Sequence, residues 1–443
     1  MMAPPNRRAK LKREELAAVL SVVATVVVIV QQFLIDNDML LLPSQTMALE
    51  ASVQATTLAL TKLHMMFSLA EAVSHDRNIG DKVGCSSTNI STCWFHRFTS
   101  SVTEDKEWRD NFRMTAATFH ALLESLRPAL DQTGEEQGEM LPIPADYKLG
   151  MALYRLAHGA TFKSVGQKFG MGASCACKAF DEVCKALNDR LYHLSELPSS
   201  PEGLLPIIDS FASMGMPNCC GVIGYTRFLV ESPPADHPAE EYRDPEGRYG
   251  VIMQGLVDSS GRFLDISVGW KGANTPPNIL PHSNLYIRVE ESQELLHGRP
   301  AELINGVLMP QYIIGDSFCP LYSWLLTPYL ADNTLHFLTP RQELYNSVHE
   351  YARSAISRAF GMLKSQWQLL TMRQRWEDVE LLPSVVNAAC LLHNLLINYG
   401  EPMPNEQELV ANEFFVAQER DEVAESIRDA LAAHIYMVAQ MRP

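Results

Sequence analysis

Positive charge is in short supply along this chain: 36 Lys and Arg stand against 52 Asp and Glu, for a formal net charge of −16 over 443 residues. Lys and Arg supply most non-specific nucleic-acid affinity, so any such contact here has to come from a local basic face. Nine cysteines are scattered without regular spacing, and no paired C-x-x-C sets with histidine partners occur. That argues against a zinc module; reduced, buried thiols of an intracellular protein are expected. No apolar run reaches the ~17–25 residues that span a bilayer. The nearest approach is Leu16 to Val30, extended by Gln31-Gln32-Phe33-Leu34-Ile35, with Glu14 and Glu15 at its start and no small-residue cleavage site after it. A buried or partner-binding helix is expected there, a membrane anchor over 16–35 being the alternative. The preceding Arg7, Arg8, Lys10, Lys12 and Arg13 read as a weak nuclear-import signal.

What remains describes a globular protein, 47% hydrophobic and 20% charged, with room for two or three domains. Four regions separate. Residues 1–100 are helix-prone to about Val73, then a polar segment from Ser74 to Ser101 reads as a linker. Residues 102–200 read as all-helical, 205–400 alternate strand and helix patterns, and 401–443 form an acidic tail, helical from Phe414 with a solvated face.

The helical region contains a candidate helix-turn-helix. Leu149, Ala152, Leu153 and Leu156 give Ala145 to His158 helical spacing, and Gly159 ends it as a C-cap. A short helix from Phe162 to Phe169 follows, then the turn Gly170-Met171-Gly172, then a helix to about Leu187 that Ser174 can cap. In such motifs the last helix enters the major groove. Lys163 and Lys168 have no neighbouring acids, whereas Lys178 and Lys185 are offset by Asp181, Glu182 and Asp189. These four lysines are the candidate DNA contacts, with plain helix packing as the competing reading.

Farther on, 219–228, Tyr249–Val257 and Phe263–Trp270 read as three strands, with a turn at Asp258-Ser259-Ser260-Gly261 between the last two. Tyr312–Ile314 is a fourth strand leading into Gly315-Asp316, Leu335–Leu338 a fifth, and Val348–Trp367 a long helix. Three antiparallel strands, a crossover, further strands and a late helix is the order of an α/β, ribonuclease-H-like fold, a mixed sheet flanked by helices.

Three stretches carry a resemblance: Pro217-Asn218-Cys219-Cys220-Gly221-Val222-Ile223-Gly224-Tyr225-Thr226-Arg227-Phe228, Ile314-Gly315-Asp316-Ser317, and His349 to Trp367. Together with Ala389-Cys390-Leu391-Leu392-His393-Asn394, they resemble the DDE endonuclease domain of PIF/Harbinger-type transposases and of host proteins derived from them. The helical region preceding it resembles that family too. The resemblance implies a carboxylate triad holding divalent magnesium or manganese, since two such ions must be clamped around one phosphodiester by oxygen ligands. Asp316 is the catalytic and metal-binding carboxylate that this chain retains. Where the family carries the first Asp stands Gly224; where it carries the Glu stands Ser357; Pro276 replaces a further common Asp.

Neighbouring acids offer poor substitutes. Glu350 lies two helical turns from Ser357, on the order of 10 Å away. Asp209 and Glu231 flank the first strand, and Asp265, within the third, fits a structural salt bridge. Asp316 can itself serve as a turn cap. Arg353 and Arg358 suit either phosphate or nearby acids, His393 suits a hydrogen-bonded core position, and Trp324 and Trp367 suit the core.

Two functions therefore stand side by side. One is a domesticated, nuclease-inactive protein. The wording of the first stretch points to the plant branch, which resembles the antagonist of like heterochromatin protein group. That resemblance implies a nuclear chromatin- or protein-interaction factor, with a Myb-like partner or a Polycomb-type complex as the partner class. The alternative is an active divalent-metal-dependent endonuclease of the same family.

Overall fold

A computed structural model describes residues 93–131, 143–234, 238–330, 337–404 and 421–441, all within one compact unit, Val83–Pro443. The apolar run over 16–35 and its basic preface lie outside the described residues. Among the described residues no helix is long and apolar enough to cross a membrane.

Helices α1 (Trp94–Ser100), α2 (Asp105–Phe112), α3 (Ala116–Leu130), α4 (Ala145–His158), α5 (Phe162–Phe169) and α6 (Ala173–Leu191) gather around fully buried Phe95, Phe112, Phe119 and Phe169. The ends of α4 and α5 fall where the sequence places them. Gly159 and Gly170 take φ of 62° and 70°, the left-handed turn that closes a helix and that a Cβ disfavours. The third helix differs from expectation: Gly172 occupies its N-cap without a side-chain bond, Ser174 lies inside it, and it continues to Leu191. Helix α7 (Pro201–Ser213) then leads to the sheet.

Strands β1 (Cys219–Leu229), β2 (Gly250–Val257) and β3 (Phe263–Lys271) form an antiparallel meander. Strand β4 (Tyr312–Ile314) pairs parallel to β1, and β5 (Leu325–Leu326) parallel to β4, so the sheet order is β3-β2-β1-β4-β5. The expected mixed sheet is present, but its fifth strand is not at Leu335–Leu338. Residues 335 and 336 lie outside the described residues, and Phe337 and Leu338 are irregular. The buried Leu325-Leu326 pair is the shorter and more apolar solution.

Helix α8 (Pro340–Gln366) begins eight residues before the expected Val348. Thr339 starts it through a capping box: Gln342 N donates to Thr339 Oγ1 at 3.4 Å, and Thr339 N donates to Gln342 Oε1 at 2.9 Å. Helices α9 (Leu382–Asn398) and α10 (Glu422–Met441) complete the chain.

Register fixes which residues share a face, because directly opposed residues point the same way. Gly224 lies opposite Gly255, which lies opposite Ile266, and this row faces α8: a Cβ on Gly255 would meet Phe360 at 3.3 Å. The alternate rows hold Ile223, Tyr225, Gln254, Leu256 and Asp265. Tyr225 meets the Phe318 ring on that side, and Arg288 lies near Asp265.

The acidic tail is not wholly solvated. Glu401 is buried, accepting from Thr115 N at 2.8 Å, from Thr115 Oγ1 at 2.6 Å and from Arg109 Nε at 3.3 Å. Burial raises that carboxyl, but these donors together with Thr118 outweigh it and hold it below its ordinary range. Helix α10 buries Ala424, Leu431, Ala432 and Ile435, and lays the Arg428 guanidinium 4.2 Å over the Tyr329 ring. Seven cysteines are free thiols as expected, but Cys175 is disulfide-bonded.

Candidate functional site

The parallel pairing of β1 with β4 sets Val222 beside Ile314. Two residues farther on come Gly224, within β1, and Asp316, two residues past the end of β4; Arg353 of α8 donates to Asp316 and Ile356 of α8 abuts Gly224, so both positions face that helix at a similar level. Arg353 and Ser357, one turn apart, look toward the same side of the helix. The three positions of the expected triad thus belong to one neighbourhood, but only Asp316 brings a carboxylate to it.

Asp316 is already engaged. Ser317 N donates to its Oδ1 at 2.7 Å, which is the turn-capping geometry, and Arg353 Nη1 donates to its Oδ2 at 2.9 Å. The same guanidinium reaches Glu350, Nε to Oε2 at 2.9 Å and Nη2 to Oε1 at 2.7 Å. Arg353 therefore bridges two carboxylates, with its own side chain only 19% exposed. A fixed organic cation neutralises Asp316 from the protein side. Arg358 turns elsewhere, donating to Ser354 Oγ at 2.7 Å and to the Ser259 carbonyl at 3.3 Å.

The Gly224 position has been filled. A Cβ there would lie 2.6 Å from Ile356 Cγ1 and 3.2 Å from Ile356 Cγ2, closer than packed carbons approach. Ser357, the next residue, is exposed. Sequence reasoning singled out Gly224 but not Ile356; the apolar spacing along α8 carries that signal only once the facing strand is known.

The neighbouring acids do not converge. Asp265 sits on the opposite face from Gly224, in the row of Leu256, and the salt bridge expected for it does not form: its Oδ2 is buried with no hydrogen-bond partner among the described residues. Asp209 on α7 and Glu231 after β1 are exposed. Pro276 is buried and opens a helical turn. Among the described residues no three His, Cys, Asp or Glu side chains form a group that could hold a metal ion. One paired carboxylate, a serine hydroxyl and an isoleucine do not fit a hard divalent cation, which requires several oxygen donors.

His349 and His393 are buried, each facing a backbone carbonyl, Leu326 O at 3.3 Å and Gly261 O at 3.0 Å, and burial holds both rings down to about 4. Both fit core roles, as do Trp324 and Trp367. Lys364 is half-buried against β1, donating to Thr226 Oγ1 at 2.8 Å and Arg227 O at 2.9 Å, and desolvation of its amine lowers it to about 8.

The four helix-turn-helix lysines divide. Lys163 and Lys185 are exposed, and Lys178 is exposed with Glu182 at 3.8 Å. Lys168 turns inward: its Nζ donates to Tyr154 Oη at 3.0 Å and lies 3.8 Å over the Trp94 ring. Helix α6 is itself largely enclosed, and its Asn188 donates to Ser384 Oγ on α9 at 2.9 Å.

Residues 225–394, from β1 through α9, match the DDE superfamily endonuclease family. The chain is 30% identical over 318 residues to the Arabidopsis thaliana protein antagonist of like heterochromatin protein 1, covering 70% of this chain and 78% of that one. The chain belongs to the Harbinger transposase-derived nuclease family. A second Arabidopsis thaliana relative, protein ALP1-like, is 27% identical over 354 residues, 76% of this chain and 84% of its own. HARBI1 of Rattus norvegicus is 22% identical over 286 residues, 64% of this chain and 75% of its own. No solved structure matches. The family match, the strand order and the level placement of Gly224 and Asp316 agree on a DDE endonuclease scaffold.

Proposed function

We propose that this chain is a domesticated transposase-derived protein that does not cut nucleic acid and acts in the nucleus as a chromatin- or protein-interaction factor. The observation that carries the first half is the paired replacement at the triad: Ile356 fills the space beside Gly224, and Arg353 holds Asp316. Two-metal phosphodiester chemistry requires carboxylates converging on both ions, and Gly224 and Ser357 offer none. The second half rests on likeness to a relative whose name makes it an antagonist of like heterochromatin protein 1. A Polycomb-type complex or a Myb-like protein is the partner class this likeness suggests. Where DNA is bound, we assign phosphate contact to Lys163, Lys178 and Lys185.

The test is a calorimetric titration of the full chain with magnesium and manganese, beside a nuclease assay on duplex DNA. Neither metal binding nor cleavage is expected. Manganese binding that disappears in Asp316→Ala, together with cleavage, would restore the endonuclease reading.

A further inference from the structure

The sheet face turned away from α8 carries a polar feature that the triad does not use. Register sets Gln254 on β2 between Tyr225 on β1 and Ser267 on β3, and sets Asp265 two residues before Ser267, on the same face and diagonal to Gln254. Gln254 is 1% exposed. Tyr225 Oη donates to Gln254 Oε1 at 3.0 Å, and in that amide orientation Nε2 is the end without a partner among the described residues. Asp265 Oδ2 is likewise buried and without a partner. One orphan is a donor, the other an acceptor. Ser267 Oγ, beside them, accepts from Trp270 Nε1 at 3.0 Å and keeps its own proton to give.

Two complementary polar ends left apart on one buried face are costly singly, at about 1–3 kcal/mol each. A single hydroxyl group satisfies both, accepting from Gln254 Nε2 and donating to Asp265 Oδ2. Diagonal neighbours on adjacent strands stand ~7–8 Å apart at Cα, a separation their side chains and one bridging oxygen can close. Arg288 lies near Asp265, but its guanidinium pairs with Glu294 at 3.3 Å. Burial raises the Asp265 carboxyl to about 6, with Arg288 opposing, so near neutral pH it offers an acceptor.

We propose that Gln254 and Asp265, with Ser267 beside them, form a buried site on the far face of the sheet for one hydroxyl group, from a water molecule or a small alcohol. The site links β2 to β3 through one bridging oxygen. It is independent of the lost triad, since Gln254 and Asp265 point away from Gly224.

Crystals of the full chain, grown without polyol and in parallel soaked in ethylene glycol, test it directly. A spherical density peak within hydrogen-bonding distance of both atoms in the first set identifies water. Two-carbon density there in the soaked set identifies an exchangeable alcohol site. A direct bond between the two side chains, or no density between them in either set, overturns the proposal. In solution, Gln254→Leu, Asp265→Leu and the double variant form a thermodynamic cycle read by urea midpoints. The double variant is expected to lose less than the sum of the singles, because either single change already breaks the shared bridge. Strict additivity counts against a shared ligand.

Discussion

Ile356 Cγ1 stands 2.6 Å from the point where a Cβ on Gly224 would lie, so β1 and α8 are packed around a missing side chain. The space that a side chain at position 224 would need belongs to the core. Restoring the chemistry therefore takes more than restoring the two acids.

The double replacement Gly224→Asp with Ser357→Glu is expected to leave manganese binding undetectable by calorimetry. Adding Ile356→Ala should open the position and produce binding. By the same packing argument Gly224→Ala alone should cost ~1–3 kcal/mol in urea unfolding. Equal manganese affinity in the double and triple variants would sink this account.

Arg353 and Asp316 form a half-buried pair, 19% and 29% exposed at their side chains. Arg353→Met leaves two carboxylates facing each other and should cost ~1–3 kcal/mol, between the values for surface and buried pairs. Combining it with Asp316→Asn should cost less than the two changes added, as read by chemical denaturation. Independent effects would mean that the pair contributes nothing.

Asp181 on α6 is pushed up to about 7 by burial and by Asp378, with Arg155 opposing. The unfolded chain ionises this group near its ordinary 3.8, so between pH 4 and 7 the folded protein holds a proton that the unfolded chain releases. Its effect on stability is a loss as pH rises through that window, complete above about 7. Asp181→Asn should remove the slope and be the more stable protein at pH 8 by roughly 2–4 kcal/mol. His349 and His393, held down to about 4, act in the opposite direction. The thermal midpoint should accordingly be compared between parent and variant at each pH, and parallel profiles would refute the assignment.

Lys168 should behave differently from its three neighbours. Lys168→Met is expected to lower stability by about 1 kcal/mol, by loss of the contact over Trp94, while leaving the salt dependence of DNA binding unchanged. Lys163→Ala or Lys185→Ala should each reduce the slope of log affinity against log salt by about one phosphate equivalent. A reversed pattern in filter binding at varied salt would show that Lys168 swings out to meet DNA.

Helix ends were legible where backbone chemistry dictates them. Gly159 and Gly170 stop α4 and α5 because each must turn left-handed. Strands β1 to β4 follow from apolar runs and turn residues. The start of α8 was also written in the chain, in Thr339-Pro340-Arg341-Gln342, but lay ahead of the apolar spacing that drew attention to Val348. Leu335-Leu338 misled because a short apolar run does not say whether it pairs, and Leu325-Leu326 is too short to announce a strand. At the site, the resemblance drew attention to Gly224, Asp316 and Ser357. The roles of Ile356 and Arg353 were not, since they depend on which helical face meets which strand register.

Glu401 carries a consequence for how this protein can change over generations. It ties the end of α9 to Thr115 and Arg109 near the start of the helical region, while Asn394 Nδ2 holds the Leu194 carbonyl at 2.8 Å and Gln366 Nε2 the Arg113 carbonyl at 3.1 Å. A fragment spanning 205–400 would end one residue short of that carboxylate and bare the side of α9 that α6 covers. The helical region and the sheet are thus a single heritable block. A lineage could not discard the nuclease-like half without losing the helices too, so the persistence of the one is tied to that of the other.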